Sequence, residues 1–94
     1  MTKAIMDADP LQRTIMFDCS NHAGDHDACT IMATLCNVLV EATFLAGEEP
    51  ALYDKGHVRI DISGADDNTL HLFNAVWNVM KQAAEQQPDY IKLY

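Results

Sequence analysis

Two residues able to take part in covalent catalysis, His22 and Cys29, lie seven positions apart in "SNHAGDHDACTIM", residues 20 to 32. A cysteine attacks as its thiolate, and a neighbouring imidazole or a helix N-terminus is the usual means of stabilising that form. Cys29 falls where an apolar, helix-forming run begins, so unpaired first-turn N–H groups and the macrodipole would favour negative charge beside it. His22 precedes a short Gly24-containing loop that can fold its imidazole back toward the sulfur. Asp25 or Asp27 could orient that ring, with Asp27 equally suited to cap the helix. His26 is a second, less well placed histidine.

The same stretch admits blander readings. A cysteine in an apolar helix is commonly a small core residue, and Cys19 and Cys36 are read that way; Cys36 lies on the same helix face as Cys29. For Cys29 the core and nucleophile readings both stand on local chemistry. His22, Asp25, His26, Asp27 and Cys29 are all metal-ligand types. Structural zinc sites normally draw on two separated segments, however, and elsewhere only the isolated His57 and His71 remain, so no metal site is expected. Those two histidines are read as surface residues. No serine elbow, phosphate-binding glycine loop or CxxC pair occurs.

The elements that must position this chemistry follow from pattern. "KAIMDAD" and "QRTIMFDCS" read as two strands joined at Asp9-Pro10. From Asp27, "DACTIMATLCNVLVEATFLAG" reads as a long helix with Asp27 as N-cap and Gly47 as stop. Its polar stripe, Thr30, Thr34, Asn37 and Glu41, is so narrow that a sheet and a second chain should cover the rest. These same residues, with Thr43, break the run too often for a membrane span. "ALYDKGHVRIDIS" reads as a hairpin turning at Asp54-Lys55-Gly56, with Val58, Ile60 and Ile62 alternating against His57, Arg59 and Asp61. "ADDNTLHLFNAVWNVMKQAAEQQ" is a second helix ending before Pro88, and "DYIKLY" a last strand. The predicted order is β-β-α-β-β-α-β in one domain over residues 1–94. This is an α/β (α+β) two-layer sandwich with two helices on one face of a mostly antiparallel sheet.

Composition narrows the class further. With 94 residues, 49% of them apolar and 21% charged, the chain has the balance of one globular domain. Fourteen acidic residues against six basic ones give a formal charge of -8, which disfavours direct nucleic-acid contact and favours basic protein partners. Three cysteines without framework spacing, and no signal-like N-terminal run, point to a reduced cytoplasmic protein without a membrane role.

In this order, strand, Asn21-His22-Ala23, loop, Ala28-Cys29-Thr30-Ile31 helix start and the closing "KQAAEQQPDYIKLY", the chain resembles the ribosomal-processing cysteine protease (Prp) family over nearly its whole length. "AGEEPALYDKGHVRIDI" is similar to that family's hairpin. The resemblance implies a cytoplasmic, homodimeric cysteine endopeptidase without a cofactor, whose catalytic pair carries over to His22 and Cys29. Its substrate would be a protein, either the N-terminal extension of a ribosomal large-subunit protein or, as in bacteriophage relatives, a capsid or scaffold protein. A non-catalytic binding module on the same fold is the alternative of a different class. Two departures stand out: the family's glycine before the histidine is Asn21 here, and the loop from His22 to Cys29 is several residues shorter.

Overall fold

The computed structural model describes residues 1 to 94, in the order β1 (Thr2–Asp9), β2 (Thr14–Ser20), α1 (His26–Leu45), β3 (Leu52–Asp54), β4 (His57–Ser63), α2 (Asp67–Gln86) and β5 (Ile91–Leu93). The strands form one sheet in the order β3-β4-β2-β1-β5. All neighbours are antiparallel except β1 and β5, which run parallel because α2 carries the chain back across the layer. The predicted element order and two-layer α+β architecture are therefore found.

Period-two alternation sends Ala4, Ile15, Phe17, Cys19, Val58, Ile60 and Ile62 to one face, where all are buried, while Ile5, Asp61 and Arg59 on the other remain wholly or partly exposed. Both helices cover the buried face. From α1 come Met32, Cys36, Leu39 and Val40, and from α2 come Leu70, Phe73, Val76 and Met80. Phe17 and Phe73 are fully buried, and Trp77 meets Phe17 edge-on with ring centroids 6.5 Å apart. By length and composition α1 could cross a membrane. One face of it is instead committed to this core, and Thr43, also fully buried, donates its hydroxyl to the Leu39 carbonyl at 2.7 Å.

Local chemistry fixes the connections. In the β1–β2 turn the Asp9 carboxylate accepts the N–H groups of Leu11 and Gln12, and the second strand starts at Thr14 rather than Gln12. The cap of α1 is a correction: Asp25, not Asp27, stands at the N-cap, its carboxylate accepting the Ala28 N–H at 3.1 Å. Asp25 has the extended backbone that a cap requires, whereas Asp27 already lies inside the first turn. Asp66 caps α2 in the same way through the Thr69 N–H at 2.8 Å. On its outer side α1 leaves Ile31, Val38, Phe44 and Leu45 exposed, and α2 leaves Leu72 and Val79. The intramolecular sheet thus covers only part of the apolar circumference read from the sequence.

Candidate active site

β2 ends at Ser20, and the chain then turns sharply at Asn21, whose φ of 72° lies in the left-handed region. Glycine and asparagine are the residues that enter this region most readily, which accounts for asparagine at a position where a glycine would also serve. The turn is pinned on both sides. The Asn21 N–H donates to the Gly56 carbonyl at 2.9 Å, and the Thr2 hydroxyl donates to the Asn21 carbonyl at 3.0 Å. Ala23 is buried, so the short loop is anchored in the core before Gly24, at φ 84°, redirects it into α1.

This path brings the two sequence-predicted residues together. Cys29 Sγ lies 3.8 Å from His22 Nδ1, within reach of a thiol–imidazole hydrogen bond, with His22 exposed and Cys29 half-buried. The other ring nitrogen, Nε2, sits against Gly56, where a Cβ would approach it to 3.4 Å. No carboxylate hydrogen-bonds the imidazole: Asp25 is engaged as the cap, and Asp27 has no bond to the ring. His26 opens α1 and does not pair with Cys29. Nor do the clustered ligand types converge, because no three His, Cys, Asp or Glu side chains are arranged to hold an ion.

The pair opens on a cleft of about 160 Å³ between α1, the ends of β1 and β2, and the β3–β4 hairpin. Met32, Ala33, Cys19, Cys36 and Val58 give it an apolar lining, while Asn37, Tyr53, Asp54 and His57 stand among its polar residues. Tyr53 Oη donates to Asn37 Oδ1 at 2.9 Å and ties the hairpin to α1. Cys19 and Cys36 are buried as expected and their thiols contact each other; that contact, then burial, pushes the Cys36 thiol far above its ordinary range. Of the N–H groups in the first turn of α1, that of Cys29 bonds the Asp25 carbonyl and that of Ala28 its carboxylate, which leaves those of His26 and Asp27 free.

His57 lies on the outer face of β4 as its alternation predicts, with 42% of its side chain exposed, but it has a partner that the sequence did not show: its Nε2 meets both carboxylate oxygens of Asp18 at 3.1 Å. A Ser20↔His57 register between β2 and β4 brings the two side chains together, and only strand pairing sets that register. The other isolated histidine, His71, is exposed on α2 as expected.

Two solved structures share this arrangement of elements. The crystal structure of SMU.848 from Streptococcus mutans superposes with a TM-score of 0.76 at 24% identity, covering 99% of this chain and 91% of that one. The second, the essential ribosomal processing protease Prp from S. aureus in complex with a covalently linked product peptide, superposes with a TM-score of 0.80 at 17% identity, covering 99% and 97%. The chain has the Prp fold. No protein-family model matches its sequence, and no curated protein sequence matches it.

Proposed function

We propose that this protein is a cytoplasmic cysteine endopeptidase that removes an N-terminal extension from a ribosomal large-subunit protein, with His22 and Cys29 as its catalytic dyad. The observation that carries the reading is the 3.8 Å approach of Cys29 Sγ to His22 Nδ1 at the mouth of an apolar-lined cleft. It is supported by the fold shared with a protease whose structure holds a product peptide. Three free cysteines suit a reducing compartment.

In the proposed reaction His22 Nδ1 takes the Cys29 proton and the thiolate attacks the scissile carbonyl carbon. The carbonyl π pair moves to oxygen, which the free N–H groups of His26 and Asp27 would stabilise. Collapse of the tetrahedral intermediate breaks the C–N bond, and the imidazolium gives its proton to the departing amine. Water, deprotonated by His22, then attacks the thioester and releases the carboxylate product and free Cys29. The net acidity, 14 acids to 6 bases, would draw a basic ribosomal substrate toward the enzyme.

We also place the working unit as a homodimer, because Ile31, Val38, Phe44 and Leu45 of α1 with Leu72 and Val79 of α2 leave apolar surface for a second copy to cover. The test of function is incubation of the purified chain with a ribosomal large-subunit precursor bearing its N-terminal extension, followed by mass analysis. Cleavage by the native chain, and none by Cys29→Ala or His22→Ala, is the expected result. Equal cleavage by Cys29→Ala would end the proposal. Light scattering of the native chain should give twice the monomer mass.

A further inference from the structure

The imidazole of His22 lacks the polar partner that usually fixes a catalytic ring. Its Nε2 lies 3.4 Å from where a Cβ of Gly56 would stand, and the Gly56 carbonyl accepts the Asn21 N–H. Gly56 is held to glycine by its backbone shape, with φ at 87°, and a Cβ there would stand in ordinary contact with the ring. The orientation of His22 therefore depends on where the β3–β4 turn sits. β3 is three residues long, at the sheet edge and exposed throughout, and it reaches beyond the hairpin through the Tyr53 hydroxyl on Asn37 of α1.

β4 is held better. Its first residue, His57, follows Gly56 directly and is bound through Nε2 to both oxygens of Asp18 on β2, 39 residues away in sequence. Arg59 steadies the same carboxylate at 3.5 Å and is itself bound by Asp61 at 3.0 Å. The remaining charged groups near His57 by register are Asp54 on β3, directly opposite, and Lys3 on β1, opposite Ser20. The Asp54 carboxylate accepts the Lys55 N–H at 2.7 Å. His57 thus has one side-chain partner, and that partner lies on a central strand.

We propose that Asp18 and His57 are positioning residues for His22: their pair fixes the β3–β4 turn, and the Gly56 backbone then holds the ring with Nδ1 toward Cys29. This rests on the dyad reading above and extends it to a second pair that never touches substrate. A carboxylate–imidazole bond anchored on a central strand performs, through one turn of backbone, the task that an orienting carboxylate would otherwise perform at Nε2.

The test uses the full chain and iodoacetamide as probe, so that no substrate need be known. Carbamidomethylation of Cys29 is followed by peptide mass analysis across neutral and mildly acid pH, in the native chain and in Asp18→Asn, His57→Ala, His57→Gln and His22→Ala. Near pH 6 the native chain should react about tenfold faster than His22→Ala, because an imidazole beside the sulfur can take its proton as it attacks. Asp18→Asn and His57→Ala should lose most of that advantage, yet come within about twofold of the native rate near pH 9, where a free thiol ionises unaided. His57→Gln, which keeps a donor for Asp18, should recover part of it. A native pH profile in both Asp18→Asn and His57→Ala overturns the positioning role and leaves the dyad standing. A native chain no faster than His22→Ala near pH 6 overturns the dyad and the proposal with it. Should His57→Ala fail to fold, the near-isosteric Asp18→Asn decides alone.

Discussion

Two cysteines on the same face of α1 have opposite surroundings. Cys29 is half-buried, 3.8 Å from an imidazole at the mouth of the cleft. Cys36, two turns further on, is 6% exposed and faces the thiol of Cys19, where that contact and burial hold it protonated. Residue type, helix and face are shared, so none of them makes the difference. What differs is which element each meets: Cys29 meets the β2–α1 loop with its histidine, and Cys36 meets the inner face of β2. The difference in surroundings belongs to the end of the helix and its neighbours rather than to the cysteine itself.

The sharpest way to break this contrast is to exchange the fates of the two thiols. Cys29→Ala should lower kcat/KM on a cleavable ribosomal precursor by at least about a thousandfold, since removing a covalent nucleophile leaves only binding and electrostatic assistance. Cys36→Ala should instead appear in chemical denaturation, as a loss of about 1–2 kcal/mol from the cavity left in the core. If Cys36→Ala abolished cleavage while Cys29→Ala spared it, the assignment of roles would be reversed.

Gly56→Ala comes next in size. The new Cβ would meet His22 Nε2 at an ordinary contact distance of 3.4 Å, but it would strain the left-handed backbone at φ 87° and so shift the turn beside the ring. Cleavage should fall about ten- to a hundredfold through misplacement of the ring. The stability cost should stay near 1–2 kcal/mol. A variant that cleaves normally would show that the turn does not set the imidazole. Alkylation measures the contrast directly: in the folded chain Cys29 should be labelled about ten times faster than Cys19 or Cys36, and the three should converge in denaturant. Equal labelling of the three in the native state would remove the distinction.

The smallest effects lie at the two helix N-termini, one beside the site and one remote from it. Asp25→Ala should cost about 1 kcal/mol of stability and also loosen the turn that carries Cys29. Asp66→Ala should lower the melting temperature at neutral pH without altering the reactivity of Cys29. The Thr69 N–H, then the Thr69 hydroxyl and Arg13, hold the Asp66 carboxyl below its ordinary value of 3.8. Because the folded value is the lower one, the contribution is complete above 3.8 and disappears as pH falls through the folded value. The gap in melting temperature between native and Asp66→Ala chains should therefore close in strong acid, and a gap unchanged there would deny the cap its charge.

How much could be read in advance depended on distance along the chain. The elements were legible because alternation in β4 and helical spacing in α2 are local patterns that burial then enforces. The approach of His22 to Cys29 was legible for the same reason, since the two flank one short loop. The cap was misplaced by two residues because Asp25 and Asp27 are chemically alike, and only backbone conformation separates a cap from a first-turn residue. The Asp18–His57 bond had no signal at all: its members are 39 residues apart and unremarkable until β2 and β4 pair. The sequence by itself determined which segments form strands and helices and that a histidine and a cysteine bracket one turn. Only the tertiary structure decided that Gly56 lies beside the imidazole, that Cys19 closes over Cys36, and that a cleft opens beside Cys29. Those are contacts between surfaces made by different elements, and their geometry does not exist until the sheet register and the seat of α1 are set.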